Sequence, residues 1–215
     1  MADIFQEVDE DLRRDKALVF WKKYQNHILA FVVIVIAAAA GISGWRAYRQ
    51  HQIETSGTAY LQAMEALERD PKAAGPQFDA LANGGSGFAV LARFQQANLA
   101  LKNGDKAKAA QLFQAIAGDN SVDKAMKDVA AILGGLTLLD LDKPDDASKL
   151  VAPLTGDNQP YRFSALEIQG QAAFASGDKK KAKEIFTQLK QLGQLPNAPK
   201  AVIGRAELML NRLQD

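Results

Sequence analysis

Residues 103–113, NGDKAKAAQLF, and residues 176–186, SGDKKKAKEIF, decide the reading of this chain. In both, a Gly-Asp pair (Gly104-Asp105, Gly177-Asp178) is followed by a small residue, Ala109 or Ala182, and then by an aromatic, Phe113 or Phe186. Gly can close a helix in the left-handed conformation, and Asp can cap the helix that follows. Each stretch therefore predicts the turn of a helix hairpin and the start of its second helix. Working outward, Ala74, Ala109, Ala147 and Ala182 recur at spacings of 35, 38 and 35 residues. Four residues after each stands Phe78, Phe113, Val151 or Phe186, and seven after each stands Leu81, Ile116, Leu154 or Leu189. Offsets of 4 and 7 share one helix face. The alanine admits a neighbouring helix, and the large residues fill the space beside it.

Twelve residues ahead of three of these alanines lie Ala97, Gly135 and Gly170, small residues on a preceding helix. Asp142-Lys143-Pro144 is the turn of the third unit, with Pro144 in a first helical turn. The first unit is degraded: Gln62 holds the small position, and Gly75-Pro76 lies inside its second helix. Gly204 follows Gly170 by 34 residues, so the segment from 197 to 214 opens a fifth hairpin whose second helix is absent. A single terminal helix is how a repeat stack shields its last apolar face. A repeat of about 35 residues with small residues at two close approaches and an aromatic four after the second resembles the tetratricopeptide repeat. No run alternates with period two. The expected fold is all-α: one N-terminal transmembrane helix, then a tetratricopeptide-like α-solenoid of about four hairpins with a C-terminal capping helix.

The membrane helix is read from 24–45, which holds no Lys, Arg, Asp or Glu. A hydrocarbon core of about 30 Å needs roughly 20 helical residues. Trp21 and Tyr24 precede the span, and Trp45 and Tyr48 follow it, as rings favour the headgroup level. Arg13, Arg14, Lys16, Lys22 and Lys23 stand before it, against Arg46 and Arg49 just after. That asymmetry predicts an N-terminus inside the cytoplasm and a C-terminal part outside it. Three segments are expected: a cytosolic 1–23, the span 24–45, and a periplasmic repeat domain 46–215. The rival is a cleaved signal peptide. Ala37 to Gly41 would suit a signal peptidase, but the long acid-rich segment ahead favours a retained anchor. Ile4, Phe5, Val8 and Leu12 fall at helical spacing in that segment, giving either a docking face or a tail with local helix. Ala37/Gly41 and Ala40/Gly44 form two small-xxx-small pairs, suited to packing against another membrane helix or serving as apolar filler.

The layout resembles the ancillary SecYEG translocon subunit family. Its closest local likeness is the span exit, Gly44-Trp45-Arg46-Ala47-Tyr48 followed by Gln50-His51-Gln52. The N-terminal segment is longer here than the family's. The resemblance implies a bacterial inner-membrane protein associated with the protein-export channel and with a membrane-anchored periplasmic chaperone. Secreted clients are further expected partners.

Chemistry is sparse. Zero cysteines exclude disulfides and thiolate sites, and a net charge of +1 gives no case for nucleic acid. His27 and His51, the two histidines, lie toward opposite ends of the span and cannot share one metal within a chain. The run from Asn83 to Gly87 lacks the Lys-Ser/Thr of a phosphate loop and reads as a hinge. Asp140, Asp142, Asp145 and Asp146 lie beside a helix start, where capping and the helix dipole account for them. Lys179, Lys180, Lys181 and Lys183 read as a solvated face. No catalytic residue, cofactor, metal or small-molecule substrate is expected. The expected role is protein binding in the concave groove lined by the first helix of each hairpin. By the register that face carries Phe94, Asn98, Leu136, Glu167, Gln171 and Phe174. An anchored adaptor for envelope assembly or division is the alternative; an enzyme with an unrecognised site is a more distant one.

Overall fold

A computed structural model describes residues 2–84, 87–196 and 198–214, with side chains throughout except at 2–13, 15–17 and 28. Ile4, Phe5, Val8 and Leu12 thus lie outside the described side chains. The described residues are helical with no strand among them. They divide into two compact units, Met1–Glu54 and Thr55–Asp215. Helix α1, Ala2–Arg69, contributes to both.

In the first unit the apolar side chains, among them Leu29, Phe31, Ile34 and Ile36, are exposed. The most apolar 18-residue window has a mean hydropathy of 2.4, and none of it is buried. Exposure on every side is costly in water at about 25 cal/mol per Å². In lipid it costs nothing, and the helix satisfies its own backbone. Among the described residues this is the one helix with the length and composition to cross a membrane. The rings of Phe20 and Tyr24 lie 4.7 Å apart and tilted before the apolar stretch, and those of Trp45 and Tyr48 lie 6.2 Å apart after it.

The second unit is a succession of hairpins. The end of α1 pairs with α2 (Pro71–Ala82), α3 (Phe88–Lys102) with α4 (Lys106–Gly118), and α5 (Lys124–Leu139) with α6 (Pro144–Val151). A 3-10 turn, Ala152–Leu154, extends α6; α7 (Arg162–Ala175) pairs with α8 (Lys179–Leu192), and α9 (Lys200–Arg212) stands last. From α2 onward each helix packs on the next, and α5 touches α7 as α7 touches α9.

The turns follow from their residues. Gly104 and Gly177 take φ of 78° and 80°, and Asp142 fills the same place in the third hairpin at 54°. In all three the next N–H reaches back to the carbonyl five residues earlier: Asp105 to Ala100, Lys143 to Leu138, Asp178 to Ala173. Asp105 and Asp178 then cap α4 and α8, accepting from the N–H of Lys108 (3.0 Å) and Lys181 (2.9 Å).

The repeat register is the core. Ala74, Ala109, Ala147, Ala182, Phe78, Phe113, Val151 and Phe186 are all fully buried. A Cβ placed on Gly170 would lie 2.8 Å from the Phe186 ring, and one on Gly135 2.8 Å from a Val151 methyl. The first helix is thus hollowed where the second inserts its large residue. The first hairpin departs by one position: Gln62 is exposed, and Ala63 is the buried small residue packed with Ala74 and Phe78. A glutamine amide buried at a helix contact would need partners, whereas Ala63 fills the close approach without them. At the other end Gly204 repeats the Gly170 position with nothing within 4 Å of its Cβ direction. Lys200, Glu207 and Asn211 are exposed on α9, together with Leu208.

Candidate protein-binding face

The six residues expected on the inner face belong to α3, α5 and α7, the first helices of successive hairpins. They differ in how far packing has already engaged them. On α7, Glu167, Gln171 and Phe174 follow one another at helical spacing. Glu167 is buried, and its carboxylate accepts from Arg205 Nε at 2.5 Å and Nη2 at 2.8 Å. Gln171 donates to the same carboxylate at 3.5 Å, at the limit of a hydrogen bond. Burying a carboxylate without partners is costly, and the guanidinium fork supplies two charge-assisted bonds in one plane. The same bonds push the Arg205 pKa up from its ordinary value. One turn further, the Arg212 guanidinium lies 5.2 Å from the centre of the half-buried Phe174 ring.

On α3, Asn98 is exposed, while Phe94 is half-buried with its ring 6.1 Å from that of Phe113. Phe94 therefore braces the core with much of its surface. On α5, Leu136 is 44% exposed, a large apolar residue left to solvent beside the buried Gly135. The structure brings Glu167, Gln171 and Phe174 together; Asn98 and Leu136 are single exposed positions on their helices.

Arg205 and Arg212 were not anticipated from sequence. A signal existed for Arg205: it follows Gly204 as Gln171 follows Gly170, so the register places it on the same face. A second fixture lies apart from this face. Arg93 on α3 donates to the Ala82 carbonyl at 3.4 Å and to Asp119 at 2.7 Å. Asp119 also accepts from the Ser121 hydroxyl at 2.6 Å and its N–H at 2.9 Å. These bonds, the Ser121 hydroxyl foremost, lower the Asp119 pKa to about 2. Neither fixture resembles a catalytic arrangement, and among the described residues no three metal-ligating side chains converge.

The hairpin geometry accords with the comparison to known families. The model of the tetratricopeptide repeat-like domain matches residues 19–202. This chain belongs to the tetratricopeptide repeat-like family. The matched region takes in the apolar helix as well as the hairpins. A protein of Aggregatibacter actinomycetemcomitans named ancillary SecYEG translocon subunit is 27% identical over 187 residues, covering 84% of this chain and 90% of that protein. One of the same name from Haemophilus influenzae is 26% identical over 192 residues, covering 86% and 91%. The expected resemblance to that family is therefore met by two relatives of that name over most of the chain.

Proposed function

We propose that this protein is a membrane-anchored interaction scaffold of the protein-export channel, holding its repeat domain outside the cytoplasm. The observation that carries the reading is the near full-length likeness to two ancillary SecYEG translocon subunits. The physical features agree with it. The apolar helix anchors the chain, and anchoring raises the domain's effective concentration at anything emerging from the channel. The first helices of the hairpins supply a binding face, with Asn98 and Leu136 as open contacts and Phe174 as a half-open aromatic. Channel subunits, a periplasmic chaperone and secreted clients are the proposed partners. The chain supplies binding and no bond-making chemistry.

Mild-detergent purification from membranes, with mass spectrometry of what copurifies, tests this reading. The wild-type protein should bring down export-channel subunits. Asn98→Ala with Gln171→Ala should weaken that recovery while leaving thermal unfolding nearly unchanged. Reversing the charge of Lys179, Lys180 and Lys181 should mainly raise salt sensitivity. Loss of partners in the lysine variant alone would place binding elsewhere; recovery of envelope-assembly proteins without channel subunits would favour the adaptor alternative. Orientation is tested separately: a reporter active only in the periplasm, fused after Asp215, should be active.

A further inference from the structure

A recess of about 640 Å³ lies where α4 ends, α5 begins and α6 passes into its 3-10 turn. Its wall carries Lys124, Lys127, Lys149, Asp128 and Gln159, and Leu150 and Pro153 contribute its apolar part. The charges are unevenly matched. The Lys124 ammonium donates to Asp128 at 2.6 Å and to Gln159 Oε1 at 3.1 Å. Asp128 is buried, 7% exposed, and its one ion pair among the described residues is with Lys124. Lys127 and Lys149 have no ion pair among the described residues. Three lysines against one aspartate leave an excess of two positive charges at this recess. An anion entering the recess therefore meets more positive than negative charge along its wall.

We infer that this recess is a second binding site, distinct from the α7 face, and that it takes a carboxylate side chain of an acidic, partly apolar protein segment. Lysine ammonium groups bind as point charges without a fixed fork, so they tolerate a carboxylate on a flexible segment. The apolar wall accommodates a neighbouring aliphatic residue of the same segment. A chain segment also fits better than a bilayer. Lys124 and Lys149 are exposed at the rim, but Lys127 is half-buried, and a flat headgroup plane reaches it less readily than a side chain that enters. None of the concave-face residues contributes to the recess, so the two surfaces can be occupied together.

The test uses the full-length protein in a neutral detergent and a fluorescein-labelled hexapeptide of alternating leucine and glutamate. The comparison probes are its glutamine counterpart, inorganic phosphate, and glycerol phosphate as the soluble form of a lipid headgroup. The glutamate peptide should bind and weaken as salt rises. Lys127→Gln with Lys149→Gln should raise its Kd by about tenfold, the sum of two partly exposed ion pairs. The glutamine peptide should bind at least as poorly. Since neither lysine has an ion pair to lose, the unfolding midpoint should hold; if it does not, Lys149→Gln alone should still raise the Kd about threefold. Asn98→Ala with Gln171→Ala should leave peptide affinity unchanged, which separates this site from the proposed groove. Equal affinity in the lysine variant, equal binding of the glutamine peptide, or binding of phosphate or glycerol phosphate in place of the peptide would overturn the inference.

Discussion

Replacing Gly170 by Ala and, separately, Gly204 by Ala makes the same chemical change at the same register position in two successive helices. Only the surroundings differ. At Gly170 the new methyl would meet Phe186 Cε1 and Cζ at 2.8 Å and Cε2 at 3.1 Å. That ring is fully buried, so it has little room to retreat. At Gly204 nothing lies within 4 Å. Both substitutions gain the helix-propensity advantage of Ala over Gly, about 1 kcal/mol. Overpacking a core costs about 1–3 kcal/mol, and it applies at Gly170 alone. Gly204→Ala should therefore stabilise by about 0.5–1 kcal/mol. Gly170→Ala should range from neutral to about 2 kcal/mol destabilising. Their difference removes the propensity contribution and isolates the steric one, at about 1–3 kcal/mol. Urea unfolding followed by circular dichroism at 222 nm measures it. Tryptophan fluorescence does not, because Trp21 and Trp45 both belong to the Met1–Glu54 unit. Two variants that shift together, within about 0.5 kcal/mol, would refute the insertion of Phe186 into a space left by Gly170.

Phe186→Ala removes a fully buried ring from the same interface and should cost about 3–5 kcal/mol in the urea experiment. Asp142→Gly should stabilise by about 0.5–1 kcal/mol, because Asp142 holds a left-handed φ of 54° where the other two turns use glycine. Asp119 has a folded-state pKa lowered from 3.8 to about 2, so its contribution is present above pH 4 and lost as the pH falls through 2. Asp119→Asn should accordingly be less stable than the wild type at pH 5–7, with the gap closing between pH 4 and 2 in thermal melts.

Much of the repeat domain was legible because its packing is written in side-chain size. The alanines at 74, 109, 147 and 182 and the large residues four after each are the buried contacts themselves, so their recurrence maps directly onto helix pairs. The turns were legible for the same reason, since Gly104, Gly177, Asp105 and Asp178 have few other structural uses in those places. In the first hairpin the spacing of twelve pointed to Gln62, whereas the buried small residue is Ala63, one place on, because spacing alone does not weigh the cost of burying a glutamine. The left-handed Asp142 was not legible, because Pro144 marks only where α6 starts and an aspartate is a less distinctive helix stop than glycine. The binding face was legible only in outline. The register says which residues share a helix face, but partners across a gap of 38 residues, such as Arg205 with Glu167, depend on side-chain reach. The lysine recess was invisible for that reason too. Lys124, Lys149 and Gln159 come from separate elements, and no spacing rule joins them.

The central claim is that the exposed residues on the first helices meet export-channel proteins. Site-specific photo-crosslinking in intact membranes tests it directly, with a photoreactive side chain at Asn98 or Leu136 and, as the contrast, at Lys180 on α8. The account predicts adducts to channel subunits or their associated chaperone from Asn98 and Leu136, and little from Lys180. Adducts to those proteins from Lys180, with none from Asn98 or Leu136, would contradict it.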